Sequence, residues 1–192
     1  MAKNADNTPY RRLLWPGIAA AGIVLIDQVT KLWAVSSLNP RSPISVIGDF
    51  LQFTLVYNEG GAMGTSFGSS TYYLISSLLI LGFVIYYIIA NRHLDRVTYP
   101  LAFIAGGAVG NIIDRIRLGQ VVDFIDVDIL DISLLGFDLR RWWTFNIADA
   151  AITVSIIFLI ISLFLHRKDT DEKVPEVTEE HPPSEDDHTE AV

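Results

Sequence analysis

The chain has 192 residues, of which 51% are hydrophobic and 19% charged, with a formal net charge of −8 and no cysteine. Without cysteine it can form no disulfide framework, zinc finger, cysteine-ligated iron–sulfur cluster or thiolate nucleophile. The acidity lies in residues 169–192, which hold ten acids and one base, whereas residues 1–168 hold twelve acids and thirteen bases. A nearly neutral body without a basic cluster excludes an electrostatic footprint for nucleic acid.

Four apolar segments are each long enough to cross a bilayer as a helix, which takes about 20 residues. They cover residues 13–35, 71–90, 97–117 and 145–165. We therefore predict an all-α integral membrane protein, a four-transmembrane-helix bundle that forms a single domain over residues 1–168. The acidic, proline-containing segment 169–192 is expected to be a disordered cytoplasmic tail.

Lysine and arginine residues near the span ends predict the orientation of the chain. Eight of them flank the termini and the short loop between the second and third spans, namely Lys3, Arg11, Arg12, Arg92, Arg96, Arg167, Lys168 and Lys173. The opposite side has Arg41, Arg140 and Arg141. Both termini are therefore expected in the cytoplasm, with two outer loops at 36–70 and 118–144.

The first outer loop has the pattern of a β-hairpin. Ile44–Ile47 and Phe50–Tyr57 are two short runs rich in strand-forming residues, and Gly48-Asp49 between them is typical of a turn. We expect a small extracytoplasmic sheet, a platform or lid, followed by a glycine-rich loop at Asn58-Glu59-Gly60-Gly61-Ala62-Met63-Gly64. In the second outer loop we expect a solvated face, formed by Asp126, Asp128, Asp131 and Asp138.

The charged residues of the spans are predicted to form one layer near the outer surface. A charge in a span costs roughly 2.5–3.5 kcal/mol on insertion scales and is usually functional. At 1.5 Å per residue, Asp27 lies about 21 Å along the first span and Asp114 about 25 Å along the third. Asp149 lies about 6 Å into the inward-running fourth span. Asp123 follows the third span at the same level.

Helical spacing groups these residues further. Asn111, Asp114 and Arg115 share one face of the third span, and Asn146 shares a face with Asp149. Asp27 and Lys31 form an i, i+4 pair, for which a structural ion pair and a direct role both stay open. We prefer a structural role for Asp114, and we expect the small residues at Gly106, Gly107 and Gly110 to allow close helix packing.

Asn146, Asp149 and the glycine-rich loop each have a structural interpretation besides a functional one. Asn146 is a good candidate for the N-cap of the fourth helix, which is compatible with a role in a site. Asp149 has no base in the sixteen residues that follow it, so it needs a partner from elsewhere or a proton. For the glycine-rich loop, the alternative to a functional role is a simple turn.

Four blocks, in order on the predicted spans, resemble the motifs of the lipoprotein signal peptidases, the signal peptidase II family. They are Asp27-Gln28-Val29-Thr30-Lys31, Tyr57-Asn58-Glu59-Gly60-Gly61-Ala62, Gly110-Asn111-Ile112-Ile113-Asp114-Arg115 with Gly119-Gln120-Val121-Val122-Asp123-Phe124, and Phe145-Asn146-Ile147-Ala148-Asp149-Ala150. The resemblance covers residues 13–165. The stretch between Phe124 and Phe145 is longer than this family leads us to expect, and the acidic tail is an addition.

The resemblance implies an aspartic endopeptidase of the bacterial cell membrane, without a cofactor or metal. Such an enzyme cuts the signal peptide from a prolipoprotein just before a diacylglyceryl-modified cysteine. The catalytic pair maps onto Asp123 and Asp149, and the supporting or substrate-binding positions map onto Asp27, Lys31, Asn58, Gly61, Asn111, Arg115 and Asn146. Membrane lipid and cyclic lipopeptide inhibitors of the globomycin type are the further partners that the resemblance implies, and we expect a monomer.

The chemistry of two neighbouring carboxylates agrees with this reading. They cannot both ionise easily, so one holds a proton near neutral pH while the other takes a proton from water. A proton-coupled transporter is the main alternative, but it predicts acids near the midplane and polar groups on both sides. A membrane scaffold is the second, and it gives no reason for Asn-x-x-Asp at one depth on two helices.

Overall fold

The computed structural model describes residues 9–60, 69–91, 95–128, 132–134, 137–139 and 144–171. Within them are four helices: α1, Pro9–Ser37; α2, Ser70–Ala90; α3, Asp95–Leu118; and α4, Ile147–Asp171. The mostly helical class expected from the sequence is confirmed, and each helix contains the core of one predicted apolar segment.

Helix α3 occupies the centre of the bundle, because it packs against α1, α2 and α4. Its glycines explain how closely the neighbours approach. A Cβ on Gly106 would lie 2.7 Å from the carbonyl oxygen of Ala20 in α1. A Cβ on Gly107 would lie 2.6 Å from the carbonyl oxygen of Ala148 in α4. Backbone atoms cannot move aside easily, so the prediction that small residues on this helix permit close packing is confirmed.

Three of the described helices are long and apolar enough to cross a membrane: Leu13–Ser37, Ser70–Ala90 and Val97–Leu118. The apolar part of α4, Ile147–Ser162, is shorter. Large apolar side chains cover the outside of the helices, for example Leu79 and Phe83, which are 70% and 66% exposed. Such a surface is stable only against an apolar solvent, so the chain is a membrane protein.

The described part of the chain also contains five short strands: β1, Ile44–Ile47; β2, Leu51–Asn58; β3, Val121–Val127; β4, Ile132–Leu134; and β5, Phe137–Leu139. The first three form an antiparallel sheet in the order β1-β2-β3, and β4 pairs with β5. The predicted hairpin is confirmed as β1 and β2. Its turn contains Gly48 with a φ of 52°, which favours glycine.

Strand β3 was not anticipated from the sequence, which assigned its residues to an outer loop. A short apolar core holds the sheet against the end of α1: Ala34, Leu38, Leu55, Val122 and Phe124. Trp33 contacts the rings of Phe53 and Phe124 edge-on, at centroid distances of 5.2 and 6.0 Å. The sheet is therefore fixed at the end of the bundle where the polar layer was predicted.

The end of α4 and the surroundings of Asp126 differ from the sequence-based expectations. Helix α4 continues to Asp171 and so includes the first three residues of the segment expected to be a tail. Asp126 was expected on a solvated face, but it is buried and accepts a hydrogen bond from the Thr54 hydroxyl at 2.9 Å. The neighbouring strand β2 covers Asp126, which explains the difference. The remaining tail and Asp131 lie outside the described residues.

Candidate active site

Asp123 reaches the bundle because the chain reverses directly after α3. Gly119 follows the last residue of the helix with a φ of 73°, and its N–H donates to the carbonyl oxygen of Arg115 at 3.1 Å. This is a common helix C-terminal turn, for which glycine is favoured. The Asp114 carboxylate accepts from the N–H of Val122 at 3.1 Å, which ties the start of β3 to α3.

A backbone pairing brings the start of α4 to the same place. Phe145 and Ile125 exchange hydrogen bonds, with Ile125 N to Phe145 O at 2.8 Å and Phe145 N to Ile125 O at 3.0 Å. The next residue, Asn146, is 0% exposed and precedes the first residue of α4. This pairing places Asn146 beside Asp123, although 23 positions separate them.

Asn146 and Asp149 cap the helix reciprocally. The side-chain oxygen of Asn146 accepts from the N–H of Asp149 at 2.9 Å, and the Asp149 carboxylate accepts from the N–H of Asn146 at 3.3 Å. This is the arrangement of a capping box, with Asp149 at the third helical position. The predicted N-cap role of Asn146 is confirmed, and the cap holds the Asp149 carboxylate at the positive end of α4.

The same asparagine binds the other carboxylate. Because its oxygen already faces a backbone N–H, its NH2 group must point the other way, where it donates to Asp123 Oδ1 at 2.7 Å. The NH2 group also lies 3.1 Å from the side-chain oxygen of Asn111. A single residue thus connects Asp123 to Asp149.

Asn111 on α3 is oriented by a comparable constraint. Its oxygen accepts from the ammonium of Lys31 at 2.9 Å, and lysine can only donate. Its NH2 group therefore faces Asp149, to which it donates at 2.7 Å. Charge-assisted bonds of this length are among the strong ones in proteins.

Asn58 repeats the pattern from the end of β2. Its oxygen accepts from the N–H of Gly60 at 2.9 Å, and its NH2 group donates to Asp123 Oδ2 at 3.0 Å. Gly60 is held in turn by Arg115, whose Nη2 donates to the Gly60 carbonyl oxygen at 3.1 Å. Both oxygens of Asp123 therefore accept a hydrogen bond from an asparagine whose orientation is fixed.

Lys31 lies in a separate, charge-paired cluster beneath these amides. Its ammonium lies 2.9 Å from Asp27 Oδ2 and 2.9 Å from Asp114 Oδ2, and all three side chains are buried. Asp27 Oδ1 accepts from the N–H of Ala148 at 3.0 Å, so this carboxylate also caps α4. Gln28 adds a hydrogen bond to Asp114 Oδ1 at 3.1 Å.

Asp123 has an unusual electrostatic position. Burial, together with the negative charge of Asp149, raises the pKa of Asp123 to about 7. Hydrogen bonds from Asn58 and Asn146 and the charge of Lys31 act in the opposite direction but do not offset burial. Strong perturbation by burial and a like charge is typical of functional carboxylates. Near neutral pH, Asp123 can therefore either hold or release a proton.

Most of the site residues predicted from the sequence come together in the structure. Seven of the described ones are linked by direct hydrogen bonds or ion pairs: Asp27, Lys31, Asn58, Asn111, Asp123, Asn146 and Asp149. Arg115 joins them through Gly60, which bonds to Asn58. Gly61 lies outside the described residues. The structural role preferred for Asp114 agrees with its bonds to Lys31 and Val122. Sequence reasoning did not single out Gln28, whose only signal is its position between Asp27 and Lys31.

Comparison with known proteins identifies relatives of the chain. A sequence model of the family described as Signal peptidase (SPase) II matches residues 19–165. The lipoprotein signal peptidase of Syntrophus aciditrophicus is 34% identical over 158 residues, which cover 79% of this chain and 93% of the relative. One from Chlorobium phaeobacteroides (strain BS1) is 38% identical over 148 residues, or 75% and 92% of the two chains.

Solved structures give the same result. The chain resembles a structure described as a bacterial membrane enzyme, determined by the in meso method at 2.3 Å resolution, with a TM-score of 0.67 and 34% identity. The match covers 83% of this chain and 91% of that one. A second, determined by the same method at 1.9 Å, has a TM-score of 0.63 at 34% identity, over 76% and 90% of the two chains.

Membrane-length helices around a buried polar site describe a membrane enzyme rather than a scaffold. Since the family match spans most of the described chain, the chain belongs to the signal peptidase II family and is a peptidase. The resemblance seen in the sequence is confirmed, and the transporter and scaffold alternatives are not supported.

Proposed function

We propose that the chain is an aspartic endopeptidase that removes signal peptides from prolipoproteins, cutting before a diacylglyceryl-modified cysteine. The observation that carries the proposal is the shared amide network. Asn146 holds Asp123 through its side chain and Asp149 through its backbone N–H. The substrate class comes from the printed name of the relatives, lipoprotein signal peptidase.

The proposed chemistry assigns different roles to the two carboxylates. Asp149 is the general base that takes a proton from the attacking water. Asp123, with a pKa of about 7, carries a proton that it donates towards the scissile carbonyl oxygen. Water adds to the carbonyl carbon and gives a tetrahedral diol. Asp149 then passes the proton that it took from water to the nitrogen, the carbon–nitrogen bond breaks, and the cysteine amine leaves. Asp123 recovers its proton from a diol hydroxyl as the new carboxyl group forms. No cofactor or metal takes part in these steps.

The remaining site residues are proposed to hold and orient these groups. Asn111 and Asn146 fix the carboxylates, and Arg115 fixes the loop at Gly60. We propose that Asn58 and the adjacent Gly61 contact the backbone of the substrate, since Asn58 lies at the start of this loop. We further propose that the enzyme is a monomer.

We further propose a four-span topology in the bacterial cell membrane, with both termini cytoplasmic and the active site near the outer face. The support is the position of the polar network. It joins the C-terminal parts of α1 and α3 to the N-terminal end of α4, next to the sheet. A prolipoprotein whose lipid lies in the outer leaflet would present its cleavage site at this level. Cyclic lipopeptides of the globomycin type would occupy the same site as inhibitors.

Paired substitutions test the chemistry. Asp123→Asn and Asp149→Asn proteins should show no detectable cleavage of a lipidated prolipoprotein in detergent, while keeping the thermal unfolding transition of the parent. Asp128→Asn is the matched control, because Asp128 directly follows the same strand and should leave cleavage unchanged. Normal processing by a folded Asp123→Asn or Asp149→Asn protein would overturn the aspartic mechanism.

The topology has an independent test, because the chain contains no cysteine. A single cysteine at Asp49 should react with a membrane-impermeant maleimide added to intact spheroplasts. A single cysteine at Ser184 in the tail should react only after the membrane is permeabilised. The opposite pattern of labelling would invert the proposed orientation.

A further inference from the structure

Lys31 makes an unusual set of contacts for a buried cation. It is 3% exposed, and its ammonium lies 2.9 Å from each of three oxygens, on Asp27, Asp114 and Asn111. An ammonium has three N–H donors and no acceptor. All three donors are thereby engaged within the protein, so Lys31 has no donor to offer a substrate.

We propose that Lys31 is a positioning residue, which fixes the side-chain amide of Asn111 so that its NH2 group points at Asp149. The inference rests on the proposed function, in which Asp149 is the general base. Lys31 itself touches neither the water nor the substrate in this proposal, and its influence on the reaction passes through Asn111.

Donor and acceptor geometry supports this assignment. If the Asn111 amide rotated by half a turn, its NH2 group would face the ammonium, and two donors would oppose each other. Its oxygen would then face the Asp149 carboxylate, and two acceptors would oppose each other. The 2.9 Å bond from Lys31 is the shorter of two that oppose this rotamer, since the Asn146 NH2 group lies 3.1 Å from the same oxygen, and it preserves the 2.7 Å bond to Asp149.

Two carboxylates hold the ammonium in place. Asp27 is itself bonded to the N–H of Ala148, and Asp114 to the N–H of Val122. These anchors connect α1 to α4 and to β3. The ammonium is thus held in place relative to β3, which carries Asp123, and to α4, which carries Asp149. A positioning group requires such a fixed location.

A matched pair of variants isolates the hydrogen bond from charge and packing. Lys31→Met/Asp114→Asn and Lys31→Gln/Asp114→Asn both keep the net charge of the Asp27, Lys31 and Asp114 cluster at its parental value. Methionine and glutamine have the same side-chain length, but only glutamine ends in a donor that can reach towards Asn111. Cleavage of a lipidated peptide in detergent gives kcat and KM for both variants.

We expect kcat of the methionine variant to be about 10- to 100-fold below that of the glutamine variant, because small misplacements of reacting groups cost up to about 100-fold. KM should agree within about threefold. In an Asn111→Ala background the difference in kcat should shrink to less than about threefold, since the side chain through which Lys31 acts on Asp149 is already absent. A structural role would leave the two variants equal, or leave their ratio unchanged by Asn111→Ala.

Every outcome of this experiment is decisive. Equal kcat values, or a ratio that persists without Asn111, would overturn the positioning role. The positioning role would also be wrong if the glutamine variant unfolded cooperatively and the methionine variant did not, because Lys31 would then stabilise the fold. The Asp123→Asn and Asp149→Asn proteins separately decide the proposed function. If they are inactive and the matched pair is equal, the positioning role alone is wrong.

Discussion

Substitution of Gly110 by alanine should damage both stability and activity, because the new methyl group would meet the buried carboxylate of Asp27. The ideal Cβ would lie 2.5 Å from Asp27 Oδ2, and 3.0 Å is the shortest separation that real Cβ atoms show. The carboxylate would have to retreat by about 0.5 Å or more. It cannot do so freely, since its oxygens bind Lys31 and the N–H of Ala148.

The expected magnitude follows from three contributions. Overpacking costs about 1–3 kcal/mol, and weakening a hydrogen bond to a charged group costs up to about 1.5–3 kcal/mol. Alanine regains about 1 kcal/mol over glycine within a helix. We therefore expect the free energy of unfolding of Gly110→Ala to fall by roughly 2–4 kcal/mol.

Activity should fall in the same variant, because Asp27 binds the first turn of α4 next to Asp149. Gly22→Ala is the matched control, since Gly22 lies on α1 with no atom within 4 Å of an added Cβ. Denaturant unfolding of the purified proteins in detergent, and cleavage of a lipidated peptide, give the two readouts. If Gly110→Ala matched Gly22→Ala in both, the close approach of Asp27 to α3 would not constrain the site.

Three further predictions concern the sheet side of the site. Activity should fall as pH rises through about 7, where Asp123 loses its proton. Asn58→Ala should move this fall in activity to higher pH, because the hydrogen bond that it removes lowers the pKa of Asp123. A shift to lower pH in the pH–rate profile would contradict the assignment. Since the pKa of Asp123 is raised on folding, its contribution to stability is present below about pH 4 and is lost as pH rises through about 7. Denaturation curves across this range should show the decline in the parent and a smaller one in Asp123→Asn. Trp33→Ala should lower the free energy of unfolding by about 1–3 kcal/mol, since Trp33 packs on Phe53 and Phe124 but is partly exposed. Trp15 is 66% exposed, so Trp15→Ala should lower the free energy of unfolding by less in the same denaturant titration.

The helices and the hairpin could be predicted because their signals are local. A long apolar run such as residues 71–90 specifies a membrane-length helix without reference to the rest of the chain. Helical rise alone indicated that Asp27, Asp114 and Asp149 would lie at one level. The hydrogen bonds among Lys31, Asn111 and Asp149 agree with that depth calculation.

Strand β3 escaped prediction because its partners are distant in sequence. Val121–Val127 contains two acids, Asp123 and Asp126, which read as loop residues. Strand β2 supplies donors to both from Asn58 and Thr54, 65 and 72 positions earlier, and Asp123 also accepts from Asn146. No local pattern shows that an acid will find such a donor, so the sequence could not distinguish Asp126 from a solvated residue.

The polar layer divides into two parts that differ in how their acids are satisfied. Asp27 and Asp114 each lie 2.9 Å from the ammonium of Lys31, and these contacts hold both carboxylates in place. Asp123 and Asp149 accept instead from neutral amides of Asn58, Asn111 and Asn146. These hydrogen bonds orient the carboxylates, and those from Asn58 and Asn146 lower the pKa of Asp123 without offsetting burial, which raises it to about 7. We therefore propose that the amide-bound pair exchanges a proton with water and substrate, while the charge-paired cluster supplies rigid support.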